Sequence, residues 1–365
     1  VDYFWGRVDI MGALQQMLLS VKPAAAAGAL TWTDQTSVST FQSACQLFWN
    51  GSVFIMVNPD MGSYLSYANV IYTSTDGISW TNVLTDGAGK YPSYFSWSSG
   101  KSFMGHSSGS LGTTIMNIAS TSAVNSWSTN ASFASAMSDA PLAVAYNGSS
   151  LYVGISSFWA DNLEVLTSSD GVTWTSNTSL STASYLFPDY SASSAPGIFY
   201  GFYLVYFNGL FMLFAADGNY ATSTNGTSWT QQTGLTSLGF GASTFMVYNH
   251  CFYGTKLVIC GPSGKVFHTT DGTSWTACSL GISSTVTAVG TNGTRLIAAT
   301  YPLSDSKFTT DLTTWSAESN LATAHSAGYI AGIAHNGTKW LVAGATGAIN
   351  PPALPFGTAI AMTAT

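Results

Sequence analysis

The sequence predicts an all-β chain, a seven-bladed β-propeller of four-stranded antiparallel blades, closed by an N-terminal strand that completes the last blade and preceded by a short helical arm. Three observations predict it. A Ser/Thr-rich stretch closed by Asp-Gly and Trp recurs along the chain, a tight glycine turn between apolar runs recurs in step with it, and the two ends of the sequence carry complementary parts of one further repeat.

The first signal reads TSTDGISW (Thr73 to Trp80), TSSDGVTW (Thr167 to Trp174), TSTNGTSW (Thr222 to Trp229), TTDGTSW (Thr269 to Trp275) and TTDLTTW (Thr309 to Trp315). Degenerate copies end at Trp127 and Trp32, which makes seven. The second signal lies at Asn50-Gly51, Ser99-Gly100, Asn147-Gly148, Asn208-Gly209, Tyr253-Gly254, Asn292-Gly293 and Asn336-Gly337. Asn-Gly between apolar runs is a strong hairpin signal, read here as a turn with positive φ at both central positions. Each repeat is therefore strand, glycine turn, strand, loop, strand, Asp-Gly turn, Trp-bearing strand, over about 45 residues.

The ends fit the same scheme. AIAMTAT (Ala359 to Thr365) reads as a third strand, and ALTWTDQT (Ala29 to Thr36) as the missing Trp strand of that repeat. Residues 29–365 are thus the propeller and 1–28 an arm. In the arm Ile10, Met11, Leu14, Met17, Leu18 and Val21 recur at helical spacing behind Asp9 as a cap, followed by the pliable KPAAAAG. A short apolar helix on a linker does not bury itself alone, so Ile10, Met11, Leu14, Met17 and Leu18 are expected to dock on a partner or another copy, with packing on the chain's own propeller as the alternative.

The TSTDG-x-[ST]-W stretches resemble the Asp-box repeats of the sialidase-like propeller superfamily, over roughly Ala29 to Thr365, with one residue fewer before the glycine than the usual box. The resemblance implies that Asp76, Asp170, Asn225, Asp271 and Asp311 are structural turn residues and that Trp80, Trp174, Trp229, Trp275 and Trp315 pack into the blades. Turn chemistry points the same way, because Asp and Asn bond their own backbone while glycine tolerates positive φ. Sialidase activity is excluded, since three arginines must converge on the substrate carboxylate and this chain has only Arg7 and Arg295.

The carboxylates outside the boxes, Asp60, Asp86, Asp139, Asp161, Glu164, Asp189, Asp217, Asp305 and Glu318, show no spacing that marks a glycosidase pair and read as solvated loop residues. No His-x-x-x-His pattern, nucleophile elbow or phosphate loop occurs, so no metal, cofactor or catalytic residue is expected. Only 7% of residues are charged, with net charge −7, and nine cations lie scattered, which excludes nucleic-acid binding. Four cysteines read as reduced, buried thiols, although Cys251 and Cys260 flank a hairpin turn and could face each other.

The apolar run Tyr200 to Ala216 is split by Asn208-Gly209 and reads as two strands, not a membrane span. Arg7, Ile10 to Leu19 and Ala24 to Ala27 imitate a secretory signal only faintly, because Gln15 and Gln16 interrupt the apolar core.

Spacing locates the insertions. From turn glycine to Trp, blades four to six take 20 to 22 positions, whereas blades one, two and three take 29, 27 and 26, which places the extra residues in the loop between second and third strands. Trp174 to Gly209 takes 35 positions and adds Leu180 to Phe199 between blades three and four. In a propeller both kinds of connection open on one face, opposite the tight turns. The candidate ligand-binding residues there are Tyr64, Tyr67, Phe158, Trp159, Asp161, Asn162, Tyr185, Phe187, Asp189 and Tyr190, because aromatic rings stack on sugar C–H faces while Asp and Asn bond hydroxyls.

Scarce charge, abundant Ser, Thr and Gly, and eroded Asp boxes are similar to virion-associated proteins of bacteriophages. That resemblance implies a non-enzymatic tail or fibre component in the virion, attaching to host-surface glycan and tethered to other virion subunits by the arm. The alternatives are a secreted or cell-surface glycoside hydrolase or lyase of propeller fold, and a structural virion decoration without ligand.

Overall fold

The computed structural model describes residues 28–35, 46–58, 70–85, 90–98, 101–108, 112–118, 127–129, 141–158, 162–177, 203–214, 219–235, 238, 247–324, 328–345 and 359–364. The helical arm predicted over 1–28, with Ile10, Met11, Leu14, Met17 and Leu18, lies outside the described residues apart from Gly28.

The strands form seven four-stranded antiparallel sheets. Six of them take their strands consecutively: β2 Gln46–Trp49, β3 Phe54–Asn58, β4 Val70–Ser74 and β5 Thr81–Thr85 in blade one; β6 Lys90–Ser98, β7 Lys101–Ser108, β8 Gly112–Ile118 and β9 Trp127–Thr129 in blade two; β10 Pro141–Tyr146, β11 Tyr152–Phe158, β12 Asn162–Ser168 and β13 Thr175–Asn177 in blade three. Blade four is β14 Tyr203–Phe207, β15 Leu210–Phe214, β16 Tyr220–Ser223 and β17 Thr230–Gln232. Blade five is β18 Asn249–Tyr253, β19 Lys256–Cys260, β20 Val266–Thr269 and β21 Thr276–Ala277. Blade six is β22 Thr285–Thr291, β23 Leu296–Tyr301, β24 Lys307–Thr309 and β25 Ser316–Ala317.

The seventh sheet is composite. It takes β26 Tyr329–His335, β27 Trp340–Ala345 and β28 Ala359–Ala364, and its outermost strand is β1 Thr33–Asp34 from the other end of the sequence. Thr33 stands opposite Thr363 and Asp34 opposite Met362. This is the pairing expected of ALTWTDQT and AIAMTAT.

The core lies between sheets. Each of five buried clusters spans one junction: blades three and four around Val153, Leu204 and Phe211; four and five around Met212, Phe214 and Ile259; five and six around Val258, Val289 and Leu296; six and seven around Ile297, Ile330 and Val342; seven and one around Leu341, Leu47 and Phe54. A strand covered on both faces loses polar alternation, which is why FMLF in β15 and LVIC in β19 are buried throughout. Near the axis the first strands crowd. A Cβ on Gly332 of blade seven would stand 2.7 Å from that of Leu47 in blade one, so only glycine fits. The strands β6 and β10 also lie side by side, joining blade two to three.

Among the described residues the glycine turns are of three kinds, not the single type expected. Where Tyr253 pairs with Lys256 across Gly254-Thr255, Gly254 alone has positive φ, and among the described glycine turns only Asn208-Gly209 is a two-residue turn with both φ values positive, 48° and 84°. It splits the Tyr200 to Ala216 run into β14 and β15, and no helix among the described residues is long and apolar enough to cross a membrane. At Asn50, Asn147, Asn292 and Asn336 the glycine alone takes positive φ. There the Asn side-chain oxygen accepts backbone N–H bonds from residues two and three further on, as from Thr294 at 3.1 Å and Arg295 at 2.8 Å onto Asn292. The longer loop lets the side chain close the turn that a second positive φ would otherwise have to make.

Two short helices were not legible in the sequence, a 3-10 turn at Leu303–Asp305 and α1 at Asn320–Ala324, whose Leu321 is buried between blades six and seven. Beside them lies a buried ion pair. Arg295 Nη2 donates to Glu318 Oε2 at 2.6 Å, with the side chains 3% and 0% exposed. Arg295 Nη1 donates to the Gly28 carbonyl at 2.7 Å, and its guanidinium sits 3.5 Å over the Phe308 ring. The other carboxylate oxygen accepts Leu30 N at 2.8 Å and Trp32 Nε1 at 3.0 Å, while Asn320 Nδ2 donates to the Leu30 carbonyl. Glu318 is therefore not the solvated carboxylate expected of it. It is the anchor by which blade six holds the strap, residues 28–34, that ends in β1.

Replacing one member of such a pair leaves a buried charge without its counter-ion, which costs about 3–5 kcal/mol. Glu318→Ala is expected to lower stability by that amount in urea unfolding, and Trp fluorescence of Trp32 should report loss of the strap.

Candidate functional site

In blades one, three, four, five and six the first strand runs into the glycine turn and the third into the Asp or Asn turn, so both kinds of tight turn share one end of the molecule. The second-to-third and blade-to-blade connections share the other. The two ends differ in chemistry.

At the turn end the Asp positions repeat one pattern. Asp76 Oδ1 accepts Ile78 N and Ser79 N at 2.8 Å each, and Ser74 Oγ at 2.9 Å, while Ser74 Oγ accepts Gly77 N at 2.8 Å. Asp170 with Ser168, Asn225 with Ser223, Asp271 with Thr269 and Asp311 with Thr309 repeat it within 0.2 Å. The Ser or Thr two residues before the acid is the partner that the sequence reading passed over. Backbone N–H donors hold these carboxyls below the usual carboxylate range, Asp170 at about 2. Acids so bound do not donate protons near neutral pH. Blade six departs from the pattern, with Leu312 in the glycine position at φ 67° and its side chain buried against blade five.

The Trp positions are less uniform. Trp229 Nε1 bonds its own turn at the Gly226 carbonyl, and Trp275 Nε1 bonds Tyr220 Oη of the preceding blade at 2.9 Å. Trp174 is buried, Trp80 packs against the cluster of blades seven and one, and Trp315 against that of five and six. The blades are also laced together at this end, where Asn208 Nδ2 donates to the Thr270 carbonyl, Tyr253 Oη to that of Thr310, and Lys339 Nζ to that of Asp76. Each bond runs from the glycine turn of one blade to the Asp turn of the next.

The opposite end holds the candidate site. Phe158 closes β11 and Asn162 opens β12, paired in register. The extra residues of blade three therefore lengthen the hairpin to two seven-residue strands, and those of blade two do likewise up to Ser108 opposite Gly112. A long loop was expected at both places. The strand-forming runs YVGISSF and NLEVLTS instead continue the ladder outward. Trp159 and Asp161 fall between Phe158 and Asn162 but outside the described residues, as do Tyr64, Tyr67, Tyr185, Phe187, Asp189 and Tyr190.

Within the axis at this end the first strands carry a feature absent from the sequence reading. The register slips by one residue at Ser93, Leu142, Thr287 and Ala331, a β-bulge six or seven positions before the turn glycine of blades two, three, six and seven. Bulges re-aim backbone groups and recur beside functional sites. Asn249 Nδ2 of blade five reaches the bulged Ala331 carbonyl of blade seven at 3.3 Å, past the intervening β22. Next to it His250 Nδ1 bonds Tyr203 Oη of blade four at 2.5 Å, and the imidazole meets the rings of Tyr203 and Phe252 edge-on. Burial pushes His250 down to about 4, so the ring is neutral at physiological pH. Tyr329, at the start of β26, is buried and its phenol raised by desolvation. At the starts of these first strands, neutral donors and acceptors therefore lie between aromatic rings.

The remaining candidates are scaffold. Cys251 stands opposite Val258 and Cys260 opposite Asn249, so the two thiols do not face each other as the turn had suggested. Cys251, Cys260 and Cys278 are free, with burial pushing Cys278 up to about 12. Asp305 accepts a hydrogen bond from Ser284 Oγ and is likewise not a free loop carboxylate. No group of three or more metal-ligating side chains occurs among the described residues.

No protein-family model matches the chain, and no curated protein matches it in sequence. Solved structures do. The chain is similar to YCF48 bound to a D1 peptide, at 12% identity and TM-score 0.57, over 94% of this chain and 100% of that one. It is similar to a catalytically inactive virginiamycin B lyase from Staphylococcus aureus with quinupristin, at 11% identity and TM-score 0.55, over 92% and 99%. It also matches the WD40 β-propeller domain of Doa1, at 11% and TM-score 0.54, over 93% and 97%. Likeness at such identity is one of fold, and the fold is a β-propeller.

Two groups of sites titrate between folded and unfolded chain. The half-buried His250 and His335 both lie at about 4 against an ordinary 6.5, so the unfolded chain binds more protons and stability falls as pH drops from 6.5 toward 4. The turn carboxyls lie below their ordinary 3.8, so their contribution is full above that value and is lost as pH falls through about 2 for Asp170. Urea midpoints measured against pH should show both declines, and the double variant His250→Gln, His335→Gln should flatten the upper one alone.

Proposed function

We propose that this β-propeller is a non-enzymatic recognition module, a virion or surface attachment protein of the phage tail or fibre kind, that binds host-surface glycan on its loop end and is tethered through residues 1–28. In this reading the seven sheets close into one ring, with blades one and two completing it, and the loop end is its outward surface.

One observation carries the proposal. Six charged groups are consumed by the scaffold: four carboxylates in Asp turns, and Arg295 and Glu318 in the strap anchor. Near the axis the loop end offers neutral hydrogen bonding beside aromatic rings, as in Tyr203, Asn249 and His250, with Phe158 and Asn162 at the tip of the extended blade-three hairpin, while the charged Lys265 and Asp305 lie in its second-to-third connections. Such a surface suits uncharged sugars, whose hydroxyls replace water at neutral polar groups while the rings cover their C–H faces. Trp159, Tyr185, Phe187 and Tyr190 extend that chemistry in the sequence.

A second reading is peptide recognition on the same end, favoured by the solved YCF48 complex with a D1 peptide. A glycan array and a peptide array distinguish the two. The proposal expects glycan binding without release of reducing sugar. Sugar release abolished by Asp161→Asn or Asp189→Asn would replace it with the hydrolase or lyase alternative, and binding to peptides alone would favour the second reading.

Tethering has its own test. Deletion of residues 1–27 spares Gly28, whose carbonyl Arg295 holds. It should abolish incorporation into particles while leaving the thermal unfolding transition in place, and unaffected incorporation would refute the tether.

A further inference from the structure

We propose that the receptor on blades six and seven for the strap, residues 28–34, also accepts the strap of a second copy of this chain, so that copies link by exchanging their N-terminal strands. The proposal stands on the strap's contacts and does not depend on the ligand.

In blades one and three to six the fourth strand follows the third through a short turn, and in blade two it follows the third directly in sequence, so covalent continuity keeps it in place. In blade seven β1 lies beside β28 from more than 300 positions away in the chain, and only contacts hold it. The ladder supplies little of that hold, being two residues long. Most of it comes from the receptor: Arg295 on the Gly28 carbonyl, Glu318 on Leu30 N and Trp32 Nε1, Asn320 on the Leu30 carbonyl, and the buried side chains of Leu30 and Trp32. Gln35 Nε2 adds a bond to Thr363 Oγ1 at 2.9 Å.

This receptor selects its occupant. An empty receptor strips Arg295 and Glu318 of the Gly28, Leu30 and Trp32 hydrogen bonds that offset their desolvation. The occupant must place a carbonyl, a backbone N–H two residues on and an indole N–H two further at the right heights, with an apolar side chain at the second of these positions. Gly28, Leu30 and Trp32 do so, and an identical segment from another copy does so equally. Exchange therefore conserves every contact, which makes it a low-cost route to assembly. Because the emptied receptor is unfavourable, exchange belongs to folding at high concentration rather than to collisions of folded copies. Reciprocal exchange gives a closed pair, and one-way exchange gives open chains.

The register partners Thr33 and Thr363 provide the test. Full-length Thr33→Cys and Thr363→Cys chains carrying tags of different mass are unfolded, mixed and refolded together, dilute or concentrated, then oxidised. The chain carrying both substitutions, refolded dilute, reports by internal cross-linking that the pair can bond. The proposal expects a covalent heterodimer after concentrated co-refolding, its yield rising with concentration. It also expects none when the two proteins are mixed already folded, and loss of the heterodimer when Trp32→Ala is added to the strap donor. Internal cross-linking of the double variant without any heterodimer at high concentration would overturn it, and so would a heterodimer that survives Trp32→Ala.

Discussion

The contact between Arg295 and Glu318 is the constraint on which the rest of this molecule depends. A propeller blade needs four strands, and the seventh sheet obtains its fourth from a segment with no covalent tie to it. A two-residue ladder is too short to hold that segment against its conformational entropy. The ion pair supplies fixed polar partners for the strap where the neighbouring blades have a turn. It lies in blade six, so it also binds the last two blades to each other, with Leu321, Trp32 and Trp340 in one cluster around it. A charge pair this deep is costly to desolvate, and its three hydrogen bonds to the strap are what make the burial tolerable.

The other junctions use a different device, repeated. Asp or Asn closes the outer turn of a blade by accepting backbone N–H groups, and the Ser or Thr two residues earlier completes the ring of bonds. The turn then carries its glycine into the preceding blade. At Gly226 a Cβ would stand 2.5 Å from Val153, so positive φ and absence of a side chain are both needed there. Leu312 shows the one tolerated exception among the described residues, in which a side chain with positive φ fills the space between blades five and six. Bonds from Asn208, Tyr253 and Lys339 then tie each turn to the next blade. The Asp turns thus satisfy their own side chains, whereas the indole Nε1 of Trp80 and of Trp315 is buried at that end without a hydrogen bond.

Division of labour between the two ends gives the proposed function its physical basis. Polar groups of the Asp turns answer to their own backbone, whereas at the other end the first strands bulge and the hairpin of blade three is extended. The neutral His250 and its phenolic partner lie where the first strands of blades four and five meet. That site depends on long-range pairing, as does the strap receptor, and neither corresponds to a local motif.

The sequence by itself determined the strands, their grouping into repeats, the Asp turns and the origin of the last outer strand, because each rests on local turn chemistry or on a pattern repeated at fixed spacing. Asp76, Asp170, Asn225, Asp271 and Asp311 were legible as turn residues because their partners lie within three positions. Tertiary structure alone decided the roles of Glu318 and Arg295, of Asn249, and of the bulges at Ser93, Leu142, Thr287 and Ala331. Glu318 finds its partners 286 and 288 positions away, in Trp32 and Leu30, and nothing near it in sequence announces burial. The added length of blades two and three was legible, but whether it became loop or strand depended on cross-strand pairing, which spacing along one chain does not encode.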